Sequence, residues 1–107
     1  LGRFILIVEN NGAIANMQDD AMVEVVCELG INGPRPMSVG NIPQFYLGLL
    51  VQQVSCEKLL VDAYYEHSYQ KALEAFTLNR LINDAKVARK ILDALIEANK
   101  GMWPELK

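Results

Sequence analysis

The fold is decided between residues 2 and 30, which read GRFILIVENNGAIANMQDDAMVEVVCELG. The run Arg3 to Glu9 is almost continuously apolar, and this pattern predicts a strand buried on both faces. Ala21 to Leu29 predicts a second strand. Between them, Asn10, Asn11 and Gly12 mark a turn, because asparagine and glycine tolerate positive φ, and a polar connection follows. We therefore expect two antiparallel strands at the start of the chain.

The chain changes character after the second strand. The stretch Gly30 to Gly40, GINGPRPMSVG, contains three glycines and two prolines, and we expect a loop without a regular element. Pro43 suits the first turn of a helix, and the apolar spacing beyond it predicts one long helix over about 43 to 67.

Two further helices are predicted. The first covers Tyr69 to Phe76, with Ser68 as its N-cap and two apolar residues, Leu73 and Phe76, facing inward. After a break at 77 to 81, the second begins at Asn83 or Asp84 and ends near Lys100-Gly101. Its inward stripe is predicted to comprise Val87, Ile91, Leu92, Leu95 and Ile96. The predicted fold class is α+β, with N-terminal antiparallel strands followed by about three helices.

Composition excludes several functions. The 107 residues include 10 basic and 13 acidic side chains, a net charge of -3, which favours neither nucleic acid nor an anionic membrane as a partner. The longest apolar runs are far shorter than the roughly 18 to 20 residues of a membrane-spanning helix. Two cysteines do not make a disulfide framework, so we expect a cytoplasmic protein. Because the sequence begins with Leu1 and enters a strand at once, we expect a fragment of a longer protein.

The segment VENNGAIANMQDDAMVEV, residues 8 to 25, resembles the family 4 glycoside hydrolases. Its first part is similar to their Val-Glu-Asn-x-Gly-x-Ile-x-Asn run, and its second part to their Val-Glu-Val-Pro strand, although Val26 replaces the proline. The resemblance continues to the end of the chain, where Arg80 is a second departure from a common proline. Its later segments are Gly33-Pro34, Ile42-Pro43, Glu57-Lys58-Leu59, Leu78-Asn79, Leu92-Asp93 and residues 97 to 100, Glu-Ala-Asn-Lys.

This resemblance implies a fold like the C-terminal domain of the glycosidases that are related to lactate and malate dehydrogenases. It implies hydrolysis of phosphorylated disaccharides by a redox-elimination mechanism that requires NAD and a divalent metal, usually Mn²⁺, in a homo-oligomeric enzyme. The details NNGAIAN, GNIPQF and SYQKALEAFTLN are most similar to the branch that acts on 6-phospho-α-glucosides such as maltose 6'-phosphate. The branch that acts on 6-phospho-β-glucosides is the nearest alternative.

The residues that would carry this chemistry are absent from the sequence. There is no GxGxxG turn for a dinucleotide, and Cys27, Cys56 and His67 have no metal-site spacing. We therefore expect no catalytic, cofactor-binding or metal residue in this chain, and the fragment alone should be inactive. Glu9 and Glu24 could form an acid/base pair, although strand carboxylates with structural roles are the simpler interpretation.

Two other places could contact a ligand. Asn10, Asn11 and Gly12 are the best candidates, as part of the wall of a substrate cleft, with a plain hairpin turn as the competing interpretation. Arg35, between two prolines, could reach a phosphate or could be a solvated loop residue. A different class of function also remains open: the apolar start of the long helix, around Phe45, would suit a stand-alone helical dimerisation module.

Overall fold

Three strands precede three helices along the chain. The computed structural model describes residues 2–107, so that Leu1 lies outside the described residues. The strands are β1 (Gly2–Glu9), β2 (Met22–Gly30) and β3 (Gly33–Pro36), and the helices are α1 (Gln44–Glu66), α2 (Tyr69–Leu78) and α3 (Ala85–Ala98). The predicted α+β class is confirmed. The chain divides into two units, residues up to 50 and residues 51–107.

The strands form one antiparallel sheet in the order β1-β2-β3. β1 and β2 pair along their whole length, from Gly2 opposite Leu29 to Glu9 opposite Met22. A connection of residues 10–21, hereafter the turn segment, joins these two strands. The turn at Asn11 and Gly12 is therefore only the start of a longer ordered loop.

β3 corrects the prediction that residues 30 to 40 form a loop without a regular element. It pairs with β2 from Gly33 opposite Gly30 to Pro36 opposite Cys27. The next residue, Met37, donates its N–H to the Val26 carbonyl at 2.9 Å. The N–H groups of successive strand residues point to opposite sides. At Pro34 and Pro36, which lack an N–H group, that group would point away from β2, toward the edge of the described sheet, so these prolines cost β3 no hydrogen bond to β2.

The prediction that β1 is buried on both faces is wrong. Ile5 and Ile7 are 65% and 70% exposed, and Phe4 on the opposite face is also exposed. β1 lies at the edge of the sheet. An apolar sequence indicates that a strand can be buried, but it does not show whether another element of this chain packs against it. The central strand β2 instead alternates, with Val23, Val25 and Cys27 buried on one face.

α1 agrees with its predicted bounds to one residue at each end. It has 23 residues, and its buried side chains are Val54, Cys56 and Ala63. The first turns of α1 expose Phe45, Tyr46 and Leu50. None of the helices in residues 2–107 is long and apolar enough to cross a membrane.

In the second unit, α2 has its predicted N-cap, Ser68, and α3, whose start was predicted at Asn83 or Asp84, is capped by Asp84. The Ser68 hydroxyl accepts from the Lys71 N–H, and the Asp84 carboxylate accepts from the N–H groups of Lys86 and Val87. α2 continues to Leu78, beyond its predicted end at Phe76. The break predicted at residue 77 therefore begins two residues later, after Leu78.

The core of this unit is built from small residues around one leucine. Leu92 of α3 is fully buried, and it clusters with Leu73 and with three buried alanines, Ala63, Ala72 and Ala88. Only part of the predicted α3 stripe is inward, since Val87, Ile91 and Leu95 are exposed. Because alanine lets helices approach closely, Ala88 takes a core position that a search for large apolar residues overlooks.

The C-terminal tail returns to the corner between α1 and α2. Lys107 donates its N–H to the His67 carbonyl at 2.8 Å and accepts from the Tyr69 N–H at 3.0 Å. The His67 ring nitrogen Nδ1 lies 3.2 Å from the Glu105 carbonyl oxygen. His67 has a φ of 56°, which is unusual for a non-glycine residue, and the tail contacts hold it in place.

Candidate functional site

Asn10 is the internal support of the turn segment. Its side chain is 1% exposed, and its amide nitrogen donates to the carbonyls of Ile14, Met17 and Gln18 at 3.0, 3.2 and 3.1 Å. Its Oδ1 accepts from the Ile14 N–H at 2.7 Å. Buried carbonyl groups need such donors, so Asn10 organises the loop and is not available to a ligand.

Asn11 and Gly12 lie at the exposed tip of the same segment. Their φ angles of 42° and 87° belong to the left-handed region, which asparagine and glycine adopt most readily. The Asn11 N–H is fixed by the Asp19 carbonyl at 2.9 Å, and its side-chain amide lies 3.5 Å from the Glu9 carboxylate. Of the three residues predicted for a cleft wall, these two can contact a molecule in solution.

Asn16 ties the turn segment to the chain just before α1. Its amide donates to the Ile42 carbonyl and accepts from the Ile42 N–H, both at 2.9 Å. Beside it, Ile14 forms a parallel bridge with Gly40. Sequence reasoning placed Asn16 in the family motif but did not assign it this role, because the partner lies 26 residues away.

Glu9 and Glu24 lie on the same face of the sheet and are both exposed. Glu24 is paired with Ile7, two residues from Glu9 along β1, so the two carboxylates are diagonal neighbours. General acid and base catalysis needs a substrate held within hydrogen-bond reach, and this open face provides no enclosure. The arrangement agrees with two solvated strand carboxylates.

Arg35 forms an ion pair with Glu28, its direct neighbour across the strands. The same carboxylate also contacts Arg3 at 3.5 Å, so that one row of residues crosses all three strands. The Arg35 guanidinium holds the pKa of Glu28 below its usual value, and Arg3 adds to this effect. Arg35 was predicted to reach a phosphate or to be solvated, and here it is exposed but paired.

The described cysteine and histidine residues do not come together as metal ligands. Cys27 and Cys56 are buried and unpaired with each other, and burial raises the pKa of the Cys56 thiol. His67 is engaged with the Glu105 carbonyl. Within residues 2–107, no three His, Cys, Asp or Glu side chains come together as metal ligands. Residues 2–107 therefore contain no complete ligand set for a Mn²⁺ ion. None of the helices in this range begins at a glycine-rich turn of the kind that binds a dinucleotide.

A cavity of about 390 Å³ in the second unit is lined almost entirely by apolar side chains. Its lining contains no charged residue, whereas a phosphorylated sugar needs cationic or N–H donors around the phosphate. This cavity is therefore not a phosphosugar site. It is lined by Leu60, Ala63, Tyr64, Ala72, Phe76, Leu92, Leu95, Trp103, Pro104 and Leu106.

Known proteins resemble the chain over nearly all of its length. The maltose-6'-phosphate glucosidase of Bacillus subtilis (strain 168) is 59% identical over 97% of this chain, and a protein of the same strain named "Probable 6-phospho-beta-glucosidase" is 43% identical over 90%. A crystal structure of a 6-phospho-alpha-glucosidase from gut microorganisms in complex with NAD and Mn²⁺ is 89% identical, with a TM-score of 0.97 over 99% of this chain.

The chain spans about a quarter of the length of these relatives: 23% of the Bacillus maltose-6'-phosphate glucosidase, 22% of the other Bacillus protein and 24% of the crystallised enzyme. Residues 2–82 match the family described as the family 4 glycosyl hydrolase C-terminal domain. This match covers both the turn segment and the start of the second unit. The chain belongs to the family 4 glycosyl hydrolases and corresponds to their C-terminal domain.

Proposed function

We propose that this chain is the C-terminal domain of a 6-phospho-α-glucosidase that hydrolyses 6-phospho-α-glucosides such as maltose 6'-phosphate. The observation that carries the proposal is the 89% identity, over 99% of the chain, to the 6-phospho-alpha-glucosidase crystallised with NAD and Mn²⁺. We accordingly propose NAD and a divalent metal, Mn²⁺, as the cofactors of the whole enzyme. Because the residues of this chain do not fit either cofactor, both would bind outside it.

Two comparisons favour the α-glucoside over the β-glucoside. Both relatives from Bacillus subtilis (strain 168) cover most of the chain, but the maltose-6'-phosphate glucosidase is 59% identical and the protein named for the β-glucoside is 43% identical. The sugar contacts that decide the anomer are not among the residues we identify in this chain. The preference therefore rests on overall similarity and needs a direct substrate comparison.

The contribution of this chain to the enzyme would be a rigid wall beside the substrate. Asn10 fixes the turn segment from inside, and Asn16 fixes it to Ile42. The exposed tip, Asn11 and Gly12, is then presented in one conformation, which suits a group that must position a ligand without reorganising. The isolated chain would be catalytically inactive.

We further propose a cytoplasmic homo-oligomer. The cysteines Cys27 and Cys56 are both free, which suits a reducing compartment. Exposed apolar side chains on β1 and on the first turns of α1 would be covered by other parts of the enzyme or by other copies.

The test is hydrolysis by the full-length protein that carries this chain as its C-terminal domain. We expect it to cleave p-nitrophenyl 6-phospho-α-glucoside with NAD and Mn²⁺ present, and to lose this activity when both are removed. The β-linked phosphoglucoside should be cleaved more slowly. Cleavage that persists without NAD and metal, or that requires no 6-phosphate, would contradict the proposal.

A matched pair of variants tests the cleft wall. Asn11→Gly keeps the positive φ and removes only the side-chain amide, whereas Asn32→Ala changes an exposed asparagine in the β2–β3 turn. We expect the first to lower kcat/KM several-fold and the second to leave it unchanged. Equal kinetics for both variants would remove Asn11 from the wall.

A further inference from the structure

Residues 102–107 leave α3 and lie against the other two helices of the second unit, and we call them the strap. The chain turns just before them at Gly101, which has a φ of 86°. The N–H groups of Met102 and Trp103 both donate to the Asn99 carbonyl, at 2.9 and 3.2 Å. Because glycine adopts positive φ at little cost, Gly101 allows the chain to leave the helix at this point.

The strap supplies hydrogen-bond partners to the corner between α1 and α2. The first N–H groups of a helix have no acceptor within that helix. Tyr69, the first residue of α2, donates its N–H to the Lys107 carbonyl at 3.0 Å. The carbonyl of His67, which follows α1 directly, accepts from the Lys107 N–H at 2.8 Å. One strap residue therefore joins the end of α1 to the start of α2, and both bonds require that the strap is in place.

The strap also forms one wall of the apolar cavity of the second unit. Leu106 is partly buried and packs against the core cluster of this unit. Together with Trp103 and Pro104, it lines the cavity of about 390 Å³. The opposite lining includes Ala63 and Ala72, each only 1% exposed. Displacement of the strap would therefore open these buried alanines to solvent.

Few interactions attach the strap. In the described part of the chain they are the two backbone hydrogen bonds of Lys107, the contact of the His67 ring with the Glu105 carbonyl at 3.2 Å, and the apolar packing around Leu106. Segments with few buried apolar contacts open at a lower free energy than the domain unfolds. Because both backbone bonds belong to the same residue, they break together when the strap leaves.

We propose that the strap is a lid that opens and closes over the apolar cavity as one unit, with Gly101 as its hinge. Closure fixes the corner between α1 and α2, and opening exposes Ala63 and Ala72 while the helices stay folded. A hinge needs only a few residues that absorb a change in φ and ψ, and a glycine outside a helix meets this need. The lid goes beyond the hydrolysis proposed above, since the strap shares no residue with the cleft wall.

Amide hydrogen exchange of the full-length protein, read by mass spectrometry at single residues, tests whether the strap opens as a unit. The amides of Tyr69 and Lys107 are both protected only by the closed strap, so their protection factors should be equal. Both should be lower than that of Ala88, which is fully buried in α3. Leu106→Ala should speed exchange at the first two amides by about tenfold or more and leave Ala88 unchanged. The control Leu81→Ala, at a leucine that is 94% exposed, should change none of them.

Thiol labelling tests whether the same opening gives access to the cavity. Ala72→Cys places a thiol on the cavity wall, whereas Ala75→Cys places one at a buried position of the same helix that lines a separate cavity without strap residues. Each is reacted with N-ethylmaleimide in the full-length protein, and the labelled peptide is quantified. Adding Leu106→Ala should accelerate labelling at position 72 by the same factor as amide exchange, and should not accelerate it at position 75.

Three results would overturn the proposal. Unequal protection of Tyr69 and Lys107 would show that they do not share one opening. Protection equal to that of Ala88 would show that the strap detaches only when the whole unit unfolds. Equal acceleration of both thiols by Leu106→Ala would show that the strap is not separable from the core. Hydrolysis is measured separately, so an inactive full-length protein would refute the proposed function and leave the lid intact.

Discussion

Replacing Asn10 with alanine is expected to destabilise the first unit severely. Asn10 has two amide hydrogens, shared among three carbonyls, and an oxygen that accepts one N–H. Loss of about three net hydrogen bonds at roughly 1 kcal/mol each, with partners left unpaired in the interior, lowers the free energy of unfolding by about 3 to 5 kcal/mol. The whole stability of a small domain is typically about 5 to 15 kcal/mol, so this is a large fraction.

Urea unfolding followed by far-UV circular dichroism measures the change. The fluorescence of Trp103, which lies in the second unit, serves as a separate probe of that unit. Amide hydrogen exchange at Ile14, whose N–H bonds to Asn10, reports the loop directly. The control Asn32→Ala should change the free energy of unfolding by about 0.5 kcal/mol or less. A change below about 1 kcal/mol in Asn10→Ala, with the Ile14 amide still protected, would refute the assigned role.

An isosteric variant separates shape from hydrogen bonding. Asn10→Asp keeps the size of the side chain but places a carboxylate against carbonyl oxygens, and its folded pKa should rise above the unfolded value of about 3.9. Because a raised carboxyl pKa favours folding only in the protonated form, the deficit relative to the natural protein should grow as pH rises above about 4. Unfolding measured across this pH range checks the sign. A deficit that is constant with pH would show that the new carboxylate reaches water.

Three further expectations concern other residues. Asn16→Ala removes two 2.9 Å bonds to Ile42 and should cost about 2 kcal/mol, with faster exchange of the Ile42 amide as the sign that the loop has detached. Arg35 lowers the pKa of Glu28, so this ion pair stabilises the fold above the ordinary carboxyl pKa and loses its effect as pH falls through the lowered pKa. Glu28→Gln should therefore have a lower melting temperature than the natural protein at pH 7, and the two melting temperatures should converge in acid. Leu92→Ala empties a fully buried core position and should cost about 2 to 5 kcal/mol in chemical unfolding, whereas a smaller loss would mean that the helices close the cavity.

The sequence predicted the strands and helices where local chemistry decides them. Ser68 was predicted as an N-cap because a helix start needs a side-chain acceptor, and it is confirmed. For α3 the sequence left Asn83 and Asp84 open as the start, and the structure selects Asp84 as the cap. β3 was missed because prolines normally exclude a strand, and only the edge position and the alternation of N–H directions make Pro34 and Pro36 compatible with one. The exposure of Ile5 could not be predicted from the sequence, because it depends on whether another element packs against that face of the sheet.

The candidate site was predictable only in outline. The motif drew attention to Asn10, Asn11 and Gly12 together, but the structure separates one buried organiser from two exposed tip residues. The sequence does not distinguish these roles, because both asparagines are polar residues that suit a turn, and only the structure shows that Asn11 has a positive φ whereas Asn10 is buried. The role of Asn16 depends on a contact 26 residues away, which a single sequence does not reveal.

The contact of residues 105 to 107 with the corner between α1 and α2 has a consequence for digestion by proteases. Lys107 is held on both sides of its backbone by His67 and Tyr69, so an endoprotease that cuts beside Lys107 must first break two backbone hydrogen bonds. A cut just before Glu105 would release the contacts on His67, which has a positive φ and lies between two helices. One cleavage in this segment would thus expose a second cleavage site in the α1–α2 corner.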